Sequence, residues 1–296
     1  MPEKHSRRQM LKQVATAAMA ATALPSLAAS LSSTHSSSTM LKGNIHHSAC
    51  AWCYPNIPLD DLCKAFKAMG LEAIDLLDPP QFATAHKYGL DCGIVASINK
   101  DWDIYRGWNH IEHHDPLVEY YYHMIDETAN AGFKNLICFS GARKGLDDEQ
   151  GLLNCAAGLQ RIMPYAEKKK VTIVMELLNS KKDHHDYQCD HTAWGAALAQ
   201  KIGSNNFKLL YDIYHMQIME GDLIRNITDY HAYIAHYHTG GVPGRHELDD
   251  TQEIFYPAVM RAIVATGYKG YVAQEFVPTE KDPLSALKRC VQICDV

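Results

Sequence analysis

V-T-I-V-M-E (Val171–Glu176), T-A-W-G-A-A-L-A-Q-K-I (Thr192–Ile202), Gly203 and F-K-L-L-Y-D (Phe207–Asp212) follow one another within a single stretch, and their order decides the fold. The outer two are short runs of β-branched, aromatic and aliphatic residues of strand length. The middle one carries a helical pattern, and Gly203 supplies the left-handed residue that closes a helix and turns the chain back. Strand, helix and strand in that order make a parallel βαβ unit. Both apolar runs end in a carboxylate.

The same unit recurs on either side. Strand-type runs lie at Asn44–Cys50, Ala73–Leu76, Gly93–Ala96, Asn135–Phe139, Ile234–His238 and Gly270–Glu275. Helical windows separate them at 58–69, 80–88, 116–131, 150–168, 221–231 and 256–266, with a last at 283–294. Gly70, Gly132 and Gly267 punctuate helix ends as Gly203 does. Eight strand–helix pairs in roughly 250 residues predict an α/β fold, a closed (β/α)8 TIM barrel. An open doubly wound sheet is the alternative, but no G-x-G-x-x-G turn follows the first run, so a dinucleotide site has no support.

Composition agrees with one globular domain. The chain has 296 residues, 47% hydrophobic and 21% charged, with 34 acidic and 28 basic side chains for a net charge of −6. Such a balance offers no global basic field for phosphate backbones, so nucleic acid is not expected as a partner. The first 29 residues read differently. S-R-R-Q-M-L-K (Ser6–Lys12) precedes an alanine-rich run from Val14 to Leu24 and the small residues Ser26, Ala28 and Ala29, the order of a signal peptide whose paired arginines resemble the twin-arginine type. The run is too short to span a bilayer comfortably. Residues 1–29 are therefore expected to be an export signal to the periplasm, residues 30–42 a Ser/Thr-rich tether, and residues 43–296 a single catalytic barrel without a membrane span.

A barrel places its chemistry at the C-terminal ends of the strands. Runs five to eight end in Glu176, Asp212, His238 and Glu275. Three carboxylates and an imidazole converging at one mouth suit a divalent metal such as manganese, magnesium, cobalt or zinc.

Y-D-I-Y-H-M-Q-I-M-E-G-D (Tyr211–Asp222), E-L-L-N (Glu176–Asn179), P-G-R-H-E (Pro243–Glu247) and G-Y-K-G-Y-V-A-Q-E-F (Gly267–Phe276) resemble the hydroxypyruvate isomerase family. That family belongs to the xylose-isomerase-like sugar isomerases and epimerases, and the resemblance covers roughly residues 44–294. It implies that Glu176, Asp212, His238 and Glu275 bind one divalent metal, that Glu176 and Glu275 form the acid/base pair, and that His215 and Arg245 contact substrate. One position departs from the pattern: the family carries Gln where His238 stands, whereas ketose 3-epimerases of the superfamily carry an H-x-H pair like His236-Tyr-His238. The implied activity is isomerisation or epimerisation of a small sugar or hydroxy-keto acid through an enediolate. An exported lyase or hydrolase acting on keto-glycosides by the same enolate chemistry is the alternative. Superfamily members often form homo-oligomers.

Other candidates lie in the loops above the strands. Asn179 and His113 are expected substrate contacts, with His110 beside the latter in W-N-H-I-E-H-H (Trp108–His114), and Trp52 is placed to stack on a sugar ring. His184, His185 and Asp186 read as a solvated loop. His236 is expected on the far side of its strand from His238, as a supporting or packing residue. A four-cysteine site from Cys50, Cys53, Cys290 and Cys294 is conceivable, but Cys63 and Cys294 fall on apolar helix stripes and burial in the core is expected.

Overall fold

The computed structural model describes residues 40–296, so the expected signal over residues 1–29 and most of the expected tether lie outside the described residues. Eight parallel strands run in chain order: β1 (His46–Ala49), β2 (Ala73–Ile74), β3 (Asp91–Cys92), β4 (Asn135–Cys138), β5 (Thr172–Glu176), β6 (Phe207–Asp212), β7 (Ile234–Thr239) and β8 (Tyr271–Gln274). Six of them form one sheet in the order β1-β8-β7-β6-β5-β4, and β2 pairs with β3. Single parallel bridges, Cys50 to Asp75 and Val95 to Leu136, join the two sheets at both edges and close the ring. The expected barrel is thus the fold found.

The second and third strands are shorter than their apolar runs. Leu76 has φ +61°, a left-handed conformation that takes the chain out of extended geometry just after Ile74. Pairing resumes one residue later, where Leu77 bridges Val95.

Helices pack around the ring: α1 (Leu59–Met69), α2 (Phe82–Lys87), α3 (His114–Asn130), α4 (Asp148–Gln160), α5 (Met163–Lys169), α6 (Thr192–Ile202), α7 (Ile213–Met219), α8 (Leu223–Tyr230), α9 (Tyr256–Ala265) and α10 (Pro283–Cys294). The window read as one helix over 150–168 is two, because Pro164 cannot donate within a continuing helix and sits instead in the first turn of α5. An extra helix, α7, starts on the last residue of β6: the Asp212 carboxylate caps it by accepting from the His215 backbone N–H at 3.1 Å. α1 illustrates the packing. Leu62, Cys63 and Phe66 share its inner face and are buried, Phe66 completely, and a phenyl ring so buried contributes roughly 2–3 kcal/mol. Gly70 then takes φ +88° and ends the helix.

The two ends of the described chain meet below the barrel. Asp295 accepts from the Lys42 backbone N–H at 3.0 Å, and the Asn44 amide donates to the Val296 carbonyl at 2.9 Å. Among the described residues no helix is long and apolar enough to cross a membrane.

Candidate metal centre and active site

Parallel strands of similar length deliver their last residues to one rim. Glu176 ends β5, Asp212 ends β6, His238 stands one residue before the end of β7 and directly beside Asp212, and Glu275 follows β8. All four are buried, and one ligand atom from each lies within 4.8 Å of the others. The His238 Nδ1 is 2.6 Å from Glu275 Oε2 and 3.6 Å from Glu176 Oε1, yet it lies off the hydrogen-bonding direction and has no hydrogen-bond partner. Its Nε2 faces Cys50 Sγ at 3.8 Å and Asp75 Oδ2 at 3.4 Å. A ring whose Nε2 faces a carboxylate while its Nδ1 points into a group of carboxylates is set to present the Nδ1 lone pair to a cation. Three buried carboxylates around that nitrogen, with one guanidinium beside them, also leave negative charge for a dication to balance. The donor set fits one divalent metal.

Arg245 clamps the site from the loop after β7. Its Nη2 donates to Glu275 Oε2 at 2.6 Å and to Asp212 Oδ2 at 3.0 Å, and its guanidinium sits between the rings of Trp52 and Tyr214. The backbone here is left-handed, φ +60°, held by hydrogen bonds of the Arg245 N–H to Gly241 and of the Val277 N–H to Arg245. Strain of this kind in a non-glycine residue gathers at functional sites. Trp52 holds Glu275 from the other side, its Nε1–H donating to Oε1 at 2.7 Å.

His215 has a defined tautomer. The Asn179 side-chain oxygen accepts from the Lys182 and Asp183 backbone, which fixes its amide group to donate to His215 Nδ1 at 2.7 Å. Nδ1 is therefore an acceptor and Nε2 carries the proton, unpartnered and 3.6 Å from Asp212 Oδ2. Asn179 sets this ring; it does not line the cavity above the site.

Beneath these four residues lies a group that the sequence reading missed. Asp75, just after β2, is fully buried and accepts from His236 Nε2 at 2.5 Å, beside its approach to His238. His236 is not on the far side of β7. Residues two apart share a strand face, and both imidazoles point into the barrel with ring centroids 5.1 Å apart. Gly93 leaves the room for Asp75, since a Cβ there would lie 2.3 Å from its Oδ1.

A cavity of about 440 Å³ opens over the carboxylates, lined by Trp52, Glu176, Glu275, Arg245 and a wall of apolar side chains. His184 also lines it, contrary to its reading as solvated, while His185 and Asp186 are exposed. His113 is absent from the lining: its Nδ1 faces the Gly107 carbonyl at 3.1 Å and its ring packs against Trp102. His110 likewise turns to the Ala142 carbonyl at 3.0 Å. All nine cysteines are free and buried, and no four-cysteine cluster forms among the described residues.

Electrostatics separates the acids. Burial pushes the Asp212 carboxyl up to about 7 against the pull of Arg245, and burial likewise raises Glu176. Burial acts on Glu275 too, but Arg245 and His238 outweigh it and hold it well below the usual carboxylate range. A dication among these groups favours the ionised form of each. Burial drives His215 well below its ordinary value, so its ring is neutral.

The chain resembles known proteins. It is 34% identical over 113 residues to a 2-oxo-tetronate isomerase of Cupriavidus necator, covering 38% of this chain and 43% of that one. It is 30% identical over 151 residues to a hydroxypyruvate isomerase of Escherichia coli, covering 50% and 57%. The chain thus spans about half the length of these relatives. An AP endonuclease of family 2 from Brucella melitensis superposes with a TM-score of 0.75 at 21% identity, over 84% of this chain and 99% of that one, which speaks for the fold. The family model described as the xylose isomerase-like TIM barrel matches residues 56–290. With that match running through nearly all of the described barrel, the chain belongs to the xylose isomerase-like TIM barrel family.

Proposed function

We propose that the protein is a divalent-metal-dependent isomerase or epimerase of a small sugar or hydroxy-keto acid, with Glu176 and Glu275 as the proton-transferring pair. The observation that carries this reading is the meeting of Glu176, Asp212, His238 and Glu275 within 4.8 Å, with Glu176 and Glu275 lining a cavity. Relatives that are 2-oxo-tetronate and hydroxypyruvate isomerases support it.

Glu176, Asp212, His238 and Glu275 hold the cation, manganese, magnesium, cobalt or zinc, which when bound supplies positive charge against the charge that develops on the substrate's oxygens as a proton leaves carbon. Glu275, fixed by Trp52 and Arg245, and Glu176 remove and return that proton. Return to the opposite face of the same carbon gives an epimer, and return to its neighbour gives an isomer. The Arg245 fork orients a carboxylate or vicinal hydroxyls, whereas His215, fully buried and outside the cavity lining, turns its Nε2–H toward Asp212 and supports that ligand rather than touching substrate.

The test is carbon–hydrogen exchange in deuterated water, followed by NMR with hydroxypyruvate, 2-oxo-tetronates and ketoses. Exchange with formation of an isomer supports the reading, and Glu176→Gln and Glu275→Gln should each abolish it with the fold retained. Exchange that survives in both variants refutes the assignment. Residues 1–29 are proposed as a twin-arginine-type export signal to the periplasm. Arg7→Lys with Arg8→Lys should then retain the protein in the cytoplasm, and undiminished export would refute this.

A further inference from the structure

The cavity is built unevenly. Glu176, Glu275, Arg245 and His184 supply charged and polar groups on the side of the metal centre, and the first three lie within a few ångströms of one another through His238 and Glu275. The remaining wall is Leu76, Ile98, Ile104, Ile137, Phe139 and Leu178. Two further polar residues stand at the edge of the lining: Ser97, whose Oγ accepts from the Tyr121 hydroxyl at 3.1 Å, and the exposed Asp78. Hydroxyl groups carried along this wall would lose water and find few free partners, which is unfavourable for each of them.

The wall is also open to solvent where it is apolar. Trp52 is 45% exposed and Ile98 47%, and both line the cavity. Exposed apolar side chains grouped at a concave site mark a surface that a ligand covers. A three- or four-carbon hydroxy-keto acid would occupy the polar side and leave this wall wet.

We infer that the substrate is a hydroxy-ketone carrying an apolar alkyl or aryl substituent, its oxygenated end on Glu176, Glu275 and Arg245 and its substituent along Leu76, Ile98, Ile104 and Phe139. For the reacting end this rests on the function proposed above. For the substituent it rests on the lining alone.

The experiment is calorimetric titration of the full-length, manganese-loaded protein with 1-hydroxy-2-ketones lengthened from hydroxyacetone to 1-hydroxy-2-octanone, alongside a ketohexose. Each methylene placed on the wall should raise affinity up to about fourfold, the apolar transfer increment for one CH₂. Ile98→Ser, at an exposed position, should weaken the longest ketone by about fivefold and leave hydroxyacetone unchanged. Affinity that is flat or falling with chain length, no binding across the series, or a ketohexose that binds more tightly than the six-carbon alkyl ketone would each overturn the inference. The two readings fail separately. A rising series with no carbon–hydrogen exchange leaves the apolar site standing and removes the proposed chemistry, and exchange on small polyols without a rising series does the reverse.

Discussion

Replacing Gly93 by alanine should damage the protein at a point remote from solvent. The new Cβ would meet Asp75 Oδ1 at 2.3 Å, with Asp75 Cγ and His236 Cε1 each at 3.2 Å. Unstrained contacts fall near 3.5–4 Å, so about 1 Å must be conceded by one of these atoms. Asp75 is not a free end, because its other oxygen accepts from His236 at 2.5 Å inside the barrel. Overpacking costs about 1–3 kcal/mol and loss of a buried charge partner about 3–5 kcal/mol, so a displacement that strains the pair without severing it should cost about 2–4 kcal/mol. For a domain of this size that lowers Tm by about 5–12 °C. The assay is a thermal scan with a matching urea titration, in which the midpoint should fall at unchanged slope. In an Asp75→Ser background the clash partner is gone, and the same glycine change should cost less than about 1 kcal/mol. A Gly93→Ala protein melting within 1 °C of the wild type, or an equal cost in both backgrounds, would refute this account of the inner network.

Asp212→Ala and His238→Ala should each lower the metal bound per chain as measured by mass spectrometry, and undiminished stoichiometry would remove them from the ligand set. Stripping the metal with a chelator should likewise destabilise the wild type, by about 2.7 kcal/mol if the free ion had stood at a hundred times its dissociation constant, and the melt should recover on adding manganese. Arg245→Lys keeps the charge but loses the fork that joins Asp212 and Glu275. It should cut kcat/KM by about tenfold or more with metal content retained, and a change under twofold would show that the charge alone suffices.

The parts of this molecule that were legible in its sequence are those that local periodicity decides. Val171–Asp212 declares strand, helix and strand within itself, and once the barrel is granted, the ends of its strands nominate Glu176, Asp212, His238 and Glu275 without further information. Asp75 was out of reach for the converse reason. In A-I-D-L-L-D (Ala73–Asp78) two acids compete, and only the left-handed Leu76, which nothing in a leucine announces, turns the chain between them so that one is buried and the other lines the rim. Gly93 reads only as the first residue of an apolar run until Asp75 is seen behind it. His236 was readable and misread, since alternation places it on the same face as His238. The loop histidines show the opposite limit: His113 and His184 both follow a strand, and tertiary packing reverses their expected roles, sending His184 to the cavity and His113 to the Gly107 carbonyl.

The clasp between Lys42 and Asp295 lies at the N-terminal ends of the strands, whereas the carboxylates crown their C-terminal ends. An affinity handle or solid support attached beside this clasp, in place of residues 1–39, would hold the barrel upright with its mouth facing away from the attachment. An immobilised form oriented by this end should admit substrate as freely as the protein in solution.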